Sequence, residues 1–312
     1  MGDVVGIGAL NLDLFYEVED LEALGLRRGR EVERDFQKML ELLRLNGRKV
    51  GESAGGSAAN TVFALSRLGF EVGFCGKVGE DEEGEKVLKG MEGVDLSRVK
   101  REGKTGLCLV IIDKERDRAL IVQPNTNDTL SFSDLDLSYI SRFKILHLSS
   151  FVGDTPLKAQ LSLIKELPSR VQISLDPGEL YAKRGIEALL GILKRSWIVF
   201  LTEEELELLT GKKLEEGAKE LFKVGVQWVI CKRGRKGAIA FGMKGNYVLE
   251  AEPLKEVVDN TGAGDVFNAG FLAGVLLGKT VEDCLKLGHR LALKSLKGFG
   301  RSSYPSKEDL CL

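Results

Sequence analysis

The sequence lacks the features that mark several large classes of protein. Its cysteines are few, and no two of them form a C-x-x-C pair: Cys75, Cys108, Cys231, Cys284 and Cys311. Such isolated cysteines predict reduced, mostly buried thiols and exclude a disulfide framework. With only 2 histidines in the chain, a cluster of histidine metal ligands is not expected either. No apolar run approaches the roughly 20 residues that a membrane-spanning helix requires.

A large net charge of either sign is also missing. The formal net charge is −2, which argues against nucleic acid as the main partner because neutralising phosphates requires a basic face. The segment after Met1 runs into an apolar stretch without preceding basic residues, which predicts that no signal peptide is present. We therefore expect a cytoplasmic protein that acts on a small molecule, with no membrane and no nucleic acid as partner.

Two common phosphate-binding motifs are absent. The chain contains no G-x-x-x-x-G-K-[ST] sequence, which excludes a P-loop. The Gly6-Ile7-Gly8 turn has neither the third glycine nor the following helix that a dinucleotide-binding G-x-G-x-x-G motif requires. Any nucleotide must therefore be bound in another way.

What the sequence does contain is an alternation of short apolar runs with longer amphipathic segments, which predicts an α/β fold with a mostly parallel sheet. With 43% hydrophobic residues, the 312-residue chain can bury a large core as one domain. The predicted strands are Val4–Ala9, Val72–Lys77, Ile145–Leu148, Val171–Leu175, Ile198–Leu201, Trp228–Cys231 and Ala238–Phe241. The predicted helices are Ala58–Leu68, Thr155–Leu167, Glu203–Leu209, Leu214–Lys223, Val266–Leu277 and Val281–Lys297.

A different pattern predicts a small β lid, formed by residues of about 12–50 and 103–124. Asp13–Val18, Lys104–Asp113 and Ala119–Gln123 alternate apolar and polar residues, as half-exposed antiparallel strands do. Glu31–Leu45 reads as an amphipathic helix with an apolar stripe. We expect this lid to hang from the edge of the main sheet, and a homodimer, if one forms, to use it.

The most informative stretch is Asp259-Asn260-Thr261-Gly262-Ala263-Gly264-Asp265, which precedes a predicted helix. Its glycines let the backbone turn tightly and approach a ligand closely. The free N–H groups at the start of a helix attract anions, which suits a transferring phosphoryl group. Asp265 at that point is a candidate general base, although an aspartate in a first turn can also serve only as a helix cap.

The longer string DNTGAGDVFNAGF resembles the carboxy-terminal signature of the ribokinase (phosphofructokinase-B) family of carbohydrate and nucleoside kinases. A second string, AGGSAANTVFALSRLG at Ala54–Gly69, is similar to the amino-terminal signature of the same family. The resemblance implies a ribokinase-like fold with helices on both faces of the sheet. It also implies ATP-dependent phosphorylation of a hydroxyl group on a small sugar or nucleoside, with Gly262, Ala263 and Gly264 as the anion hole.

Further matches imply where the two substrates bind. On the acceptor side the resemblance implies roles for Asn11, Asp13, Gly55, Gly56 and Asn60. On the ATP side it implies roles for Thr202, Glu205, Lys232, Gly234, Gly237 and His289. Glu205 would assist Mg²⁺ through water, and Asp259 is the candidate for a monovalent cation such as K⁺.

Four of these ATP-side positions depart from the family pattern or admit a second interpretation. Thr202 stands where relatives have Asn, and Lys232 where they often have Thr, which adds positive charge to a phosphate site. Glu205 also fits a solvated residue on an acidic first turn. His289 edges the adenine pocket or packs within its helix, and His147, in an apolar strand, is expected to be a hydrogen-bonded core residue.

The acceptor is not identified by these motifs. The GGSAANT string and the Glu31–Leu45 helix resemble the adenosine-kinase side of the family, yet sugar kinases share such features. A nucleoside base needs an apolar or aromatic wall, for which Phe15, Tyr16 and Phe36 are candidates unless they only pack the lid. The alternative function is a catalytically silent sugar- or nucleoside-binding sensor on the same fold.

Overall fold

A computed structural model describes residues 1–26, 30–31, 34–115, 117–251 and 257–310, with the backbone alone for 30–31. The strands in chain order are β1 (Gly2–Ile7), β2 (Asn11–Glu17), β3 (Arg30–Glu31), β4 (Arg48–Gly55), β5 (Val72–Val78), β6 (Asp95–Arg101), β7 (Gly106–Ile112), β8 (Arg118–Gln123), β9 (Phe143–Ser149), β10 (Gln172–Asp176), β11 (Ser196–Thr202), β12 (Trp228–Lys232), β13 (Ala238–Gly242) and β14 (Gly245–Leu249). The helices are α1 (Phe36–Asn46), α2 (Ser57–Arg67), α3 (Glu82–Lys89), α4 (Leu137–Ile140), α5 (Asp154–Glu166), α6 (Gly178–Ala182), α7 (Gly185–Leu193), α8 (Glu203–Thr210), α9 (Leu214–Lys223), α10 (Ala263–Leu276) and α11 (Val281–Ser295).

The main sheet has nine strands in the order β14-β13-β12-β11-β10-β9-β1-β5-β6. The pairs from β12 through β6 are parallel, and β13 and β14 join the edge in antiparallel orientation. Because parallel strands end at one edge of the sheet, the residues that close β1, β10, β11 and β12 gather there. In open α/β sheets that edge is where ligands bind.

Helices cover both faces of the main sheet, which confirms the predicted class. On one face, Leu163 of α5, Leu189 of α7 and Leu221 of α9 join a core with the buried strands. On the other, Leu65 of α2 and Leu272 of α10 do the same. The strands are nearly continuous apolar runs because both of their faces are buried in this way.

A second sheet of five strands, in the order β3-β8-β7-β2-β4, is built from the segments predicted to form the lid. One face packs against α1 through Leu40 and Leu43. The other face carries Phe15 and Val110, with Phe299 packed against it from the segment after α11. The ring centroids of Phe15 and Phe299 lie 6.3 Å apart in an edge-to-face arrangement.

Several predicted elements need correction. The helix predicted at Glu31–Leu45 begins only at Phe36, where Asp35 accepts a hydrogen bond from Lys38 N and caps it; Glu31 lies in β3, and residues 32–33 are outside the described residues. Two of the three segments predicted as half-exposed, Asp13–Val18 and Lys104–Asp113, are mostly buried as β2 and β7, because α1 covers one face of the small sheet and Phe299 contributes to the other. These two strands also pair in parallel, not antiparallel, orientation. The helix predicted to start at Val266 starts at Ala263, so Asp265 lies within its first turn.

The predictions for the cysteines and for His147 hold within the described residues. Cys75, Cys108, Cys231 and Cys284 are buried and form no disulfide within the described residues, while Cys311 lies outside them. His147 is fully buried, and its Nδ1 forms a hydrogen bond of 3.0 Å with Ser174 Oγ. Of the helices that the structure describes, none combines the length and the apolar composition that crossing a membrane demands.

Candidate active site

The centre of the site is the glycine turn that leads into α10. Gly262 is the N-cap of this helix and has φ of 75°, in the left-handed region that favours glycine. A Cβ at this position would also overlap the hydroxyl oxygen of Tyr304. The first residues of α10 are Ala263, Gly264 and Asp265, whose backbone N–H groups have no partner within the helix. The turn therefore presents a cluster of donors that fits an anion.

Asp265 is held beside these donors by α2. Its Oδ1 accepts a hydrogen bond of 2.8 Å from Ser57 Oγ, and its Oδ2 accepts one of 2.8 Å from Asn60 Nδ2. Thr61 Oγ1 donates to the backbone oxygen of Asp265 at 3.2 Å. The carboxylate is thus oriented by side chains and does not cap its own helix. This geometry favours the general-base interpretation over the simple cap.

The electrostatic surroundings make Asp265 easier to protonate than an ordinary aspartate. Burial raises the pKa of its carboxyl group to about 6, and the negative charge of Asp176 acts in the same direction. The hydrogen bonds from Asn60 and Ser57 and the charge of Lys232 oppose this rise. A carboxylate with such a pKa can accept a proton near neutral pH.

Lys232, at the end of β12, brings a positive charge to the same turn. Its Nζ lies 3.4 Å from where a Cβ on Gly264 would stand. The ammonium group also forms an ion pair of 2.7 Å with Asp176 Oδ2, at the end of β10. The same oxygen accepts a hydrogen bond of 2.6 Å from Asn268 Nδ2 of α10. Although burial disfavours their charges, each partner stabilises the other, so the pKa of Asp176 is lowered and that of Lys232 is raised.

The predicted acceptor-side residues gather across β2, β4 and the start of α2. Asp13 is 7% exposed and packs against Gly55, where a Cβ would overlap its carboxylate. Asn11 Oδ1 accepts a hydrogen bond of 2.8 Å from Asn127 Nδ2. Burial raises the pKa of Asp13 to about 7; the charge of Arg301 works against this rise, and the neighbouring carboxylates support it.

Gly56, directly after β4, packs closely against the loop between β1 and β2. Its φ of 106° is open to glycine and strained for other residues. A Cβ here would also overlap the backbone oxygen of Ala9. The glycine therefore lets α2 start directly against residues 8–10. Asn60 thereby lies under the anion turn (Gly262–Asp265), with its Nδ2 3.3 Å from a Cβ built on Gly262.

Thr202 and Glu205 form a capping box at the start of α8. Glu205 Oε2 accepts a hydrogen bond of 2.7 Å from Thr202 N, and Thr202 Oγ1 accepts one of 3.2 Å from Glu205 N. Burial and the charge of Asp176 raise the pKa of Glu205 to about 7. Glu205 is therefore not the solvated surface residue of the alternative interpretation.

Two further predicted ATP-side regions lie beside these residues in the fold. Gly234 and Gly237 form the turn between β12 and β13, where Gly237 N donates to Gly234 O at 3.0 Å. A Cβ on Gly237 would overlap Leu249 O, whereas Gly234 faces open space. His289 is half-buried in α11, the helix that packs against α10.

Asp259 ties two loops together. Its Oδ1 accepts a hydrogen bond of 2.8 Å from Thr261 N, and its Oδ2 accepts one of 2.9 Å from Gly300 N. The anion turn is therefore anchored to the segment that follows α11. The neighbouring Asn260 Oδ1 accepts a hydrogen bond of 2.8 Å from Arg118 Nη1 of β8, so the small sheet also touches this turn.

Sequence reasoning missed four residues of the site: Ser57, Asp176, Arg301 and Tyr304. Ser57 stands inside the AGGSAANTVFALSRLG string, next to Gly56, and Asp176 directly follows the predicted strand Val171–Leu175. Arg301 and Tyr304 lie in a segment without periodicity or a motif, so only the folded chain brings them to the acceptor side.

Comparisons with known proteins agree with the fold and the motifs. The sequence matches the model of the pfkB family carbohydrate kinases over residues 30–307. An uncharacterized sugar kinase of Archaeoglobus fulgidus is 36% identical over 253 residues, which cover 78% of this chain and 99% of that protein. The cytidine kinase of Thermococcus kodakarensis is 31% identical over 263 residues, which cover 82% of this chain and 91% of that protein.

A solved structure of a probable sugar kinase from Rhizobium etli superposes with a TM-score of 0.90 at 22% identity. The superposition covers 99% of this chain and 97% of the other, and at that identity it shows the shared fold. The match over most of the sequence and the two relatives above 30% identity establish descent as well as fold. The chain belongs to the pfkB family of carbohydrate kinases.

Proposed function

We propose that this chain transfers the γ-phosphoryl group of ATP to a hydroxyl group of a small sugar or nucleoside, with Asp265 as general base. The observation that carries the proposal is the position of the Asp265 carboxylate. Ser57 and Asn60 aim it at the start of α10. The first N–H groups there have no partner within the helix, although Ala263 N also contacts Asn260 O at 3.3 Å. A proton acceptor and an anion site are thereby combined in one turn of helix.

The chemistry needs little beyond this arrangement. Asp265 accepts the proton of the acceptor hydroxyl as its oxygen forms a bond to the γ-phosphorus. The bond from phosphorus to the β,γ-bridging oxygen breaks, and ADP leaves with that electron pair. The amides of Gly262, Ala263 and Gly264 donate hydrogen bonds to the equatorial oxygens, where negative charge is carried in the transition state. Lys232 adds a positive charge on the ATP side of the same turn.

Acceptor hydroxyls bind to Asn11, Asp13 and Asn60 in this proposal, while Gly55 and Gly56 let the backbone approach them. Asp13 and Asn11 lie on one face of β2, because side chains two residues apart share a face of a strand. The lid, residues of about 12–50 and 103–124, closes over them and excludes water. The hydrogen bond from Arg118 to Asn260 supports such closure because it joins β8 to the anion turn.

ATP binds along Thr202, Glu205, Lys232, the Gly234–Gly237 turn and His289 in this proposal. Mg²⁺ prefers oxygen ligands and is usually held by one or two carboxylates together with substrate phosphates. Asp176 and Glu205 fit this pattern, since their charges interact at the nucleotide side. Within the described residues, no three carboxylates, histidines or cysteines come together as a complete metal site, which suits a cation shared with phosphates. When bound, Mg²⁺ neutralises phosphate charge, with Glu205 acting through water.

A K⁺ ion beside Asp259 belongs to the same proposal. Both carboxylate oxygens already accept backbone N–H groups, so a cation would use their remaining lone pairs. Its role would be to brace the anion turn. Dependence of turnover on K⁺ over Na⁺ tests this part.

The aromatic candidates of the small sheet do not select between a sugar and a nucleoside as the acceptor. Phe36 and Tyr16 pack between the sheet and α1, so they belong to the lid core. Phe15 lies on the opposite face of β2, the face that carries Asp13, and joins an apolar surface with Val110. Phe15 is only 1% exposed and Phe299 packs against this face, so the three aromatic residues pack the lid and leave no open wall for a base. A cytidine kinase and a 2-dehydro-3-deoxygluconokinase are both among the relatives, so a nucleoside and a sugar both belong to the proposal.

ADP release with ATP and a panel of ribose, adenosine and cytidine tests the proposal. Asp265→Asn is expected to lower turnover by roughly 10²–10⁴ while ATP binding and the melting temperature change little. Near-normal turnover of this variant would remove Asp265 from its role. Tight acceptor binding without any ADP release would instead favour the silent sensor. Dimerisation of this chain through the lid stays a prediction, as does its cytoplasmic location.

A further inference from the structure

The segment after α11 delivers an arginine to the acceptor side of the site. Arg301 Nε donates a hydrogen bond of 2.9 Å to Asn60 Oδ1, and its Nη1 donates one of 2.7 Å to Gly90 O. The guanidinium carbon lies 4.7 Å from the centroid of the Phe63 ring, one turn further along α2. Contacts with α2 and with the residue after α3 therefore hold the guanidinium group in one orientation.

This contact decides which way the side-chain amide of Asn60 faces. Guanidinium nitrogens can only donate hydrogen bonds, so the oxygen of the amide must face Arg301. The NH₂ group then faces Asp265, where it donates to Oδ2 at 2.8 Å. A flipped amide would set donor against donor at Arg301 and oxygen against carboxylate at Asp265, at a cost to both contacts.

The charged and titratable groups around Asp265 come from the two sheets and from the segment after α11. Asp176 and Lys232 face it from the main sheet, and Asp13 lies on the small sheet. Arg301 and Tyr304 come from the segment after α11. Burial lowers the pKa of Arg301, yet a guanidinium group stays protonated at neutral pH. Arg301 thus places a positive charge on the acceptor side, as Lys232 does on the ATP side.

We propose that Arg301 is a positioning residue of the phosphoryl transfer: it holds the Asn60 amide so that its NH₂ group donates to the Asp265 carboxylate. The proposal rests on the function proposed above, since it concerns the same base. Loss of the arginine would free the amide to rotate and remove a nearby cation. Both changes make the ionised form of Asp265 less stable.

A titration of the protein without substrates tests this directly. The side-chain carboxyl ¹³C signal of Asp265, assigned by its absence in Asp265→Asn, reports the pKa of this group. In Arg301→Ala we expect that pKa to rise by about one unit or more. Arg67→Ala is the matched control, because Arg67 Nε also binds this segment, at Pro305 O (3.3 Å), but does not touch Asn60. It is expected to leave the titration unchanged.

Kinetics provide a second, independent measure through a double-mutant cycle. ADP release is compared for Arg301→Ala, Asn60→Ala and the double variant, with the best acceptor of the panel. Because the arginine acts through the amide, the double variant is expected to lose little more kcat than Asn60→Ala alone. Arg301→Lys keeps the positive charge but not the planar guanidinium group, so it is expected to recover part of the kcat lost in Arg301→Ala. It also provides a folded variant if Arg301→Ala does not fold.

Two results would overturn the inference. One is an unchanged Asp265 titration in both Arg301→Ala and Arg301→Lys. The other is fully multiplicative kcat losses, or an effect on KM alone, which would assign Arg301 to direct contact with the acceptor. Normal turnover in Asp265→Asn would refute the proposed function itself, and the substrate-free titration distinguishes that failure from a failure of this inference.

Discussion

Lys232 and Asp176 form an ion pair of 2.7 Å whose side chains are 13% and 6% exposed. The pair lies between the nucleotide side and the anion turn, because Lys232 Nζ also approaches Gly264. A cation so placed is expected to stabilise charge that is carried by phosphate oxygens during transfer. It also keeps a buried carboxylate ionised beside the site.

Replacement of Lys232 by methionine is therefore expected to lower kcat by roughly 10²–10³. It leaves the buried charge of Asp176 unpaired, so a loss of about 3–5 kcal/mol in the free energy of unfolding is also expected. The double variant Lys232→Met/Asp176→Asn removes that charge and should recover stability but not turnover. Lys236→Met in the same turn, where the side chain is 69% exposed, is the control. Equal turnover in both methionine variants would contradict the role of Lys232.

The pH dependence of kcat/KM follows from two raised carboxyl pKa values. As pH falls through about 7 and then about 6, Asp13 and Asp265 become protonated, and the base is lost. We expect kcat/KM to be flat above this window and to fall as the pH decreases through it. Asp13→Asn removes a like charge near Asp265, so the remaining acid limb should move to lower pH. Asp20→Asn, an exposed position outside the site, should leave the profile unchanged.

Gly262 is the position where the anion turn tolerates least change. Gly262→Ala is expected to lower the free energy of unfolding by about 1–2 kcal/mol through its left-handed conformation. The overlap with the Tyr304 hydroxyl adds to this loss. Tyr304→Phe in the same variant should therefore return part of the stability, as thermal melting would show. Gly264→Ala is the control, because the nearest atom to a Cβ built on Gly264 is Lys232 Nζ at 3.4 Å. A similar loss of stability in Gly264→Ala would contradict this explanation.

Much of the main sheet could be predicted from the sequence, because strands buried on both faces are continuous apolar runs. Leu214–Lys223 was predicted as a helix with the bounds that α9 has, since its apolar stripe is regular. By contrast, β4 (Arg48–Gly55) escaped prediction. Its Arg, Lys, Gly, Glu and Ser residues have little strand propensity, and only pairing with β2 makes them a strand.

The site was predictable where chemistry leaves a local motif. The glycine turn and Asp265 are adjacent in sequence, so their juxtaposition needs no knowledge of the fold. Arg301 reaches Asn60 from more than 200 residues away, and no periodic pattern signals such a contact. The role of Thr202 as a helix cap was likewise hidden, although Thr-x-x-Glu is the spacing of a capping box.

The tie between Asp259 and Gly300 has a consequence for biosynthesis. A ribosome releases residues in order, so the acceptor-binding strands and the glycine turn emerge well before the loop that pins them. Until positions 300 and 301 have left the exit tunnel, the turn lacks its hydrogen bond from Gly300 N and Asn60 has no guanidinium partner. We expect a partly synthesised chain to fold its sheet while remaining unable to consume ATP.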